Sequence, residues 1–124
     1  MQVTRRSTCP EACALDIAGD RWTLLIVRDL LRQRDTYSKL AAGDEGIPTN
    51  ILADRLRRME DSGLIKAVPY QQRPVRYAYS LTDKGRGLED VLGAVARWGK
   101  RHIRGTVVMP EFSSSSRSSL PGRR

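Results

Sequence analysis

The sequence is poor in the residues that build catalytic and metal sites. Its 124 residues include one histidine, His102, and two cysteines, Cys9 and Cys13. One histidine and a single pair of thiols do not make a structural zinc site within one chain, so no metal ligands are assigned. There is no phosphate-cradling glycine loop of the Walker or dinucleotide kind. A Cys–His nucleophile pair would require Cys9 or Cys13 to meet His102 across a dimer, and nothing in the spacing demands that. These absences argue against an enzyme and against a bound cofactor. Apolar runs are short as well: Leu24, Leu25, Ile26 and Val27 stand together before Arg28 and Asp29 intervene. A bilayer-spanning helix needs about 20 apolar residues. Arg5 and Arg6 are followed by no apolar stretch of the secretory kind. The expectation is a cytoplasmic protein without a membrane partner, its cysteines held as reduced thiols.

Positive charge, by contrast, is abundant. Lysine and arginine number 22 against 14 aspartates and glutamates, a formal net charge of +8. That balance suits a polyanionic partner, with nucleic acid first and an anionic membrane surface second. Charge alone does not choose between them, nor does it exclude a merely soluble basic domain.

Element signals organise most of the chain. Pro10 suits the first position of a helix, and Cys13, Ala14, Ile17 and Ala18 follow at helical spacing. Asp20 is placed to cap a second helix over 22–31, apolar around most of its circumference and so expected at the centre of the domain. Thr36 caps a short third helix to about residue 42. A turn through Gly43 and Gly46 leads to a fourth helix, opened by Pro48 and Thr49 and stopped near Gly63. The period then changes. Residues 64–70 predict a strand whose end Pro69 demotes to an edge. Residues 71–74 predict a loop, and 75–81 a second strand with Val75, Tyr77, Tyr79 and Leu81 on the core side. Thr82 caps a last helix whose apolar stripe is Leu88, Val91, Leu92, Val95, Trp98 and His102. Residues 1–8 are expected to be a flexible arm, 9–105 the folded domain, and 106–124 a disordered Ser/Arg-rich tail.

The fold class is therefore mainly α with a small β-hairpin, in the order of a winged helix-turn-helix. The second helix of such a unit enters the major groove of duplex DNA and leads with its N-terminal residues. Leu52, Leu56 and Met59 share the inward face of the fourth helix. Thr49, Asn50, Ala53, Asp54 and Arg57 are left as base-reading candidates: Asn pairs bidentately with adenine, Arg with guanine, and Ala touches a thymine methyl. Ser38, Lys39, Arg55 and Arg58 are assigned to the DNA backbone. Gln71, Gln72, Arg73 and Arg76 form a basic, polar wing suited to the backbone or minor groove. The competing reading is a protein-interaction module that uses the same helix and wing without specific DNA binding.

Three ordered stretches carry a family resemblance: CPEACALDIAGDRWTLLIVRDLL, GIPTNILADRLRRMEDSGLI and RYAYSLTDKGRGLEDVLGAVARWG. They span about residues 9–103. The first contains a leading cysteine and a Gly-x-x-Trp-Thr-Leu-Leu-Ile run. Together they resemble the HxlR-type family of bacterial winged-helix regulators. The resemblance implies a homodimer on a partly palindromic operator, joined through the first and last helices. The stripe on the last helix agrees, although a lone domain can also bury such a stripe within itself. The resemblance also admits a small-molecule or redox effector. Cys9, at a helix N-terminus where amide groups stabilise a thiolate, is the redox-sensing candidate; the alternative is a small packing residue at a dimer contact.

Overall fold

The computed structural model describes residues 7–107. The expected arm with Arg5 and Arg6, and the tail from residue 108, lie outside the described residues. The element order is α1 (Pro10–Ala18), α2 (Thr23–Leu31), α3 (Tyr37–Ala41), α4 (Thr49–Asp61), β1 (Ile65–Gln72), β2 (Val75–Leu81), α5 (Asp83–Arg86) and α6 (Glu89–His102). Along the sequence the chain divides into two compact units, the first ending at Arg86 and the second beginning at Gly87. Among the described residues, no helix is long and apolar enough to cross a membrane.

In the first unit the core is built around α2. Thr23, Ile26, Val27 and Leu30 are buried, and Leu40, Leu52, Leu56, Met59, Leu64, Ile65 and Leu81 complete the interior. Asp20 starts α2 as a capping residue does: its carboxylate accepts from the Trp22 and Thr23 amides at 3.0 and 3.1 Å. Thr36 caps α3 by accepting from the Lys39 amide at 3.3 Å. The end of α4 is a Schellman turn. Gly63 takes φ +82°, its amide donates to Glu60 O, and the Leu64 amide donates to Met59 O. Any side chain at Gly63 would be strained by that φ.

The two strands form an antiparallel ribbon in which Ile65 faces Leu81 and Ala67 faces Tyr79. Two sequence expectations are corrected here. The first strand does not stop at Tyr70. Pro69 pairs opposite Tyr77, the register shifts past Tyr70, and Gln71 and Gln72 pair with Arg76 and Val75. Each strand of a two-stranded ribbon has an open edge, so a missing proline N–H costs no ladder bond there. The tip shrinks to Arg73 and Pro74. Tyr77, expected in the core, is 46% exposed, and burial along β2 rises only towards Leu81. The ribbon reaches out from the body, so its distal residues keep the core-side parity without a core to fill.

The helix expected to run unbroken from Thr82 is also corrected. It is two helices, separated at Gly87 and Leu88. Thr82 caps α5, its hydroxyl accepting from the Gly85 amide at 3.1 Å and donating to Gly63 O at 2.5 Å. Gly85 is buried, and a Cβ there would collide with the Leu64 carbonyl, so glycine is what lets α5 sit so close. Gly87 is a poor helix former and follows directly.

Candidate nucleic-acid interface

The α3–turn–α4 unit is fastened at three points. The Tyr37 hydroxyl donates to the Thr49 carbonyl at 2.9 Å, tying the start of α3 to the first residue of α4. Arg28 grips Glu45 with two nitrogens, at 3.0 and 2.8 Å, which pins the inter-helix turn to α2. Behind it lies the buried Asp29, which accepts from Arg28 Nε at 3.1 Å and Arg32 Nη1 at 3.4 Å. A buried carboxylate persists only with such partners. The third point is Asp20: Arg55 Nε on α4 donates to its Oδ2 at 2.8 Å. Burial by itself would raise the Asp20 carboxyl. Hydrogen bonds from the Thr23 hydroxyl, Arg55, and the Trp22 and Thr23 amides override it and lower the pKa to about 2.

Held in this way, α4 has two contrasting faces. Leu52, Leu56 and Met59 are buried. Thr49, Asn50, Ala53, Arg57 and Arg58 are exposed. No side chain caps the N-terminus, where Pro48 stands at the cap position, so the first amides of α4 face outward unpaired by a cap. Ser38 and Lys39 on α3 are exposed too, Lys39 within 3.6 Å of Asp35. Asp54 and Arg55 differ. Asp54 is a half-buried hub that accepts from Arg55 at 2.6 Å and Arg57 at 2.9 Å, with Arg58 at 3.6 Å. The Arg55 side chain is only 18% exposed and is shared between Asp20 and Asp54, a fastening position rather than an outward-reaching one.

The wing projects Gln72, Arg73 and Arg76 into solvent. Gln71 turns inward: its amide donates to the Pro74 carbonyl at 3.1 Å and closes the tip. At the base of the wing, Thr36 forms an antiparallel bridge with Ala78, and the Tyr79 amide donates to Asp35 O at 2.7 Å. This stitch joins the wing to the start of α3. Burial raises the Tyr79 phenol, with Glu60 and the Tyr37 and Tyr77 phenols acting in the same direction. Tyr37, Asp20, Glu45 and the Asp35–Thr36 stitch are functional supports that sequence reasoning missed. Of these, only the capping positions of Asp20 and Thr36 were legible.

A helix-turn-helix stitched to a two-stranded wing matches a known pattern over most of the chain. The family model described as HxlR-like helix-turn-helix covers residues 17–106. The chain belongs to this family of transcriptional regulators. The HxlR-like chain is 37% identical over 90 residues to the HTH-type transcriptional regulator YvaP of Bacillus subtilis, which covers 73% of this chain and 83% of YvaP. It is 38% identical over 90 residues to the HTH-type transcriptional regulator Mb3122 of Mycobacterium bovis. That match covers 73% of this chain but 56% of the relative, so the chain spans about half the length of this mycobacterial protein. Among solved structures, the redox regulator HypR in its reduced form superposes with a TM-score of 0.69 at 26% identity, covering 75% of this chain and 92% of HypR. These relatives are regulators by name, and the winged-helix fold read from the element order is the one observed.

Two further sets of predicted residues in this HxlR-like chain belong to α6 and α1. On α6, Val91, Val95, Trp98 and His102 are exposed, Leu88 is half-buried and Leu92 is buried. Trp98, 62% exposed, has its ring 4.8 Å from that of His102. On α1, Leu15 and Ile17 are exposed apolar residues as well. Cys9 occupies the N-cap of α1 with Pro10 behind it. Its exposed thiol donates to Glu11 Oε1 at 3.0 Å, and the Cys13 thiol donates to Ser7 O at 3.2 Å. The hydrogen bond from Cys9, followed by one from its own backbone amide, lowers the Glu11 carboxyl below the usual carboxylate range.

Proposed function

We propose that the chain regulates transcription as a homodimer that binds a partly palindromic duplex operator. The observation that carries this reading is the division of α4: Leu52, Leu56 and Met59 buried behind, and Thr49, Asn50, Ala53 and Arg57 exposed in front. A helix so divided, with an uncapped N-terminus and a basic wing nearby, fits major-groove entry. Thr49, Asn50, Ala53, Asp54 and Arg57 face the bases. Ser38, Lys39 and Arg58 reach phosphates, and Gln72, Arg73 and Arg76 carry the wing along the backbone, with Gln71 shaping its tip. Arg55 acts from behind by holding α4 to Asp20.

Support for the dimer comes from apolar side chains that are exposed among the described residues. Val91, Val95 and Trp98 on α6, with Leu15 and Ile17 on α1, suit an isologous contact between two copies. Two-fold symmetry in the protein asks for matching half-sites in the DNA. Cys9 serves as the redox-responsive group. Its exposed thiol at a helix N-terminus supports this, as does the likeness to HypR.

Selection of duplexes from a random pool, followed by fluorescence-anisotropy titration across salt, tests the function. The expected result is an enriched, partly palindromic site whose affinity falls with salt, by about 0.9 log unit per decade for each phosphate neutralised. Weak, sequence-indifferent binding at physiological salt would instead favour a protein-interaction module.

A further inference from the structure

Asp54 stands on the groove-facing side of α4, yet its carboxylate is already engaged. Oδ2 accepts from Arg55 Nη1 at 2.6 Å and lies 3.6 Å from Arg58 Nη1, while Oδ1 accepts from Arg57 Nη2 at 2.9 Å. Between Thr49 and Arg58 it is the only acidic residue in the sequence. The three guanidinium groups are not equivalent. Arg55 is held from behind by Asp20 at 2.8 Å and is largely enclosed, whereas the side chains of Arg57 and Arg58 are 67% and 59% exposed. Arg55 therefore fixes the carboxylate in place, and Arg57 and Arg58 are the partners able to exchange it for another anion or acceptor.

We propose that Asp54 is a specificity-determining residue, a built-in competitor that Arg57 and Arg58 leave only for a site offering better partners. The proposal rests on the DNA-binding reading above. A carboxylate carried into the groove is repelled by the phosphates on every sequence. That repulsion is offset where a cytosine N4 amino group donates to Asp54 and a guanine takes Arg57 through O6 and N7. On other sequences the carboxylate keeps its arginines, and the phosphates lose two cationic contacts. Asp54 thus weakens sequence-indifferent binding more than operator binding, which is discrimination by penalty. The charge that makes α4 sticky and the charge that restrains it lie within one turn of helix.

The test compares the full chain with Asp54→Asn, Arg57→Ala and the double variant. Each is titrated against a selected operator and a scrambled duplex of equal length over a range of salt, with unfolding midpoints measured alongside. Asparagine keeps the size of the side chain and removes its charge; Asp54→Ser replaces it should the Asn variant unfold. Asp54→Asn is expected to bind the scrambled duplex on the order of tenfold more tightly, with a log–log salt slope steeper by up to about two, about 0.9 for each arginine released to a phosphate. The ratio of operator to scrambled affinity falls. In the Arg57→Ala background the gain is smaller, because one of the released arginines is gone. Parallel weakening on both duplexes, or an unchanged slope and ratio, would overturn the role given to Asp54. Absence of salt-dependent duplex binding by the unaltered protein would overturn the DNA-binding reading and this role with it, an outcome visible before any variant is compared.

Discussion

Arg55 Nε lies 2.8 Å from Asp20 Oδ2, so the residue that caps α2 also holds α4 from behind. One carboxylate therefore serves a helix start and an inter-helix tie at once. Replacing Asp20 by alanine removes both. The cap alone is worth about 0.5–2 kcal/mol, and the expected result is a lower urea midpoint with an unchanged m value.

The pH dependence of this tie has a definite sign. Asp20 normally titrates at 3.8 and is lowered to about 2 in the fold. A lowered carboxyl stabilises the folded state above the unfolded pKa, and the contribution is lost as pH falls through the folded one. The stability gap between the unaltered protein and Asp20→Asn should be full at pH 5 and above, and should close progressively between about pH 4 and pH 2. Urea unfolding of both proteins across that range gives the answer; a gap that does not narrow would mean that the Asp20 charge is not what stabilises.

Leu52 is wholly buried on the far side of α4 from Thr49 and Arg57. Leu52→Ala should cost about 2–5 kcal/mol through lost burial and the cavity left behind. Thermal unfolding reads that loss directly. DNA affinity should recover on cooling or with stabilising osmolyte, since the reading face itself is untouched.

Much of this fold is legible from periodicity and caps. Leu52, Leu56 and Met59 recur at intervals of four and three, Thr36 and Asp20 precede apolar helices, and Gly63 follows one; each is a local signal with a local cause. Arg55 is different. Its partner lies 35 residues away, so spacing on α4 marked it only as an outward cation. The stitch of Asp35 and Thr36 to β2 is too short to have a period. Tyr77 has the right parity for a core residue, but parity says nothing of how far a ribbon extends past the body. The break at Gly87 was hidden because the apolar stripe begins only at Leu88, so no apolar spacing before it marks where α5 stops. What was missed is mostly long-range, and it consists of the ties that hold the reading face in position.

Arg57 and Arg73 should fail in different ways. Arg57 stands on the exposed face of α4, and Arg73 at the tip of the wing. Arg57→Ala is expected to cost roughly 1–3 kcal/mol on the operator and to relax the preference at one position. Arg73→Ala should weaken all duplexes nearly equally and flatten the salt slope by about one. Anisotropy titrations on single-position operator variants separate the two, and identical behaviour would abolish the division into reader and anchor.

Trp98 tests the dimer. It is the largest exposed apolar side chain on α6, and its ring lies 4.8 Å from that of His102, tilted by 42°. Buried aromatic anchors at the centre of an interface commonly contribute about 2 kcal/mol or more. Trp98→Glu should therefore shift sedimentation towards the monomer at micromolar protein, with the thermal midpoint becoming concentration-dependent. An unchanged sedimentation coefficient would remove α6 from the interface.

Cys9 carries the last prediction. Its thiol is exposed, sits at the N-cap of α1, and gives its proton in a hydrogen bond to Glu11. Cys13, one turn on, is half-buried and bonded to the Ser7 carbonyl. An oxidant should therefore reach Cys9 first. Oxidation by diamide removes two thiol protons and two electrons and joins Cys9 to a second thiol, with diamide reduced to its hydrazine. Two such thiols exist per chain, so the second is Cys13 or a cysteine of another copy; non-reducing electrophoresis distinguishes them. A bond made at the start of α1 acts next to the proposed dimer contact of Leu15 and Ile17, and linkage between two sites is typically worth about 5–150-fold in affinity. Operator affinity of the unaltered protein and of Cys13→Ser is therefore expected to change by that order on diamide treatment when the bond joins the Cys9 thiols of two copies, and only the unaltered protein responds when the second thiol is Cys13, of the same or of another copy. Cys9→Ser should be indifferent to diamide in either case. Equal operator affinity for reduced, oxidised and Cys9→Ser protein would leave Cys9 as a packing residue.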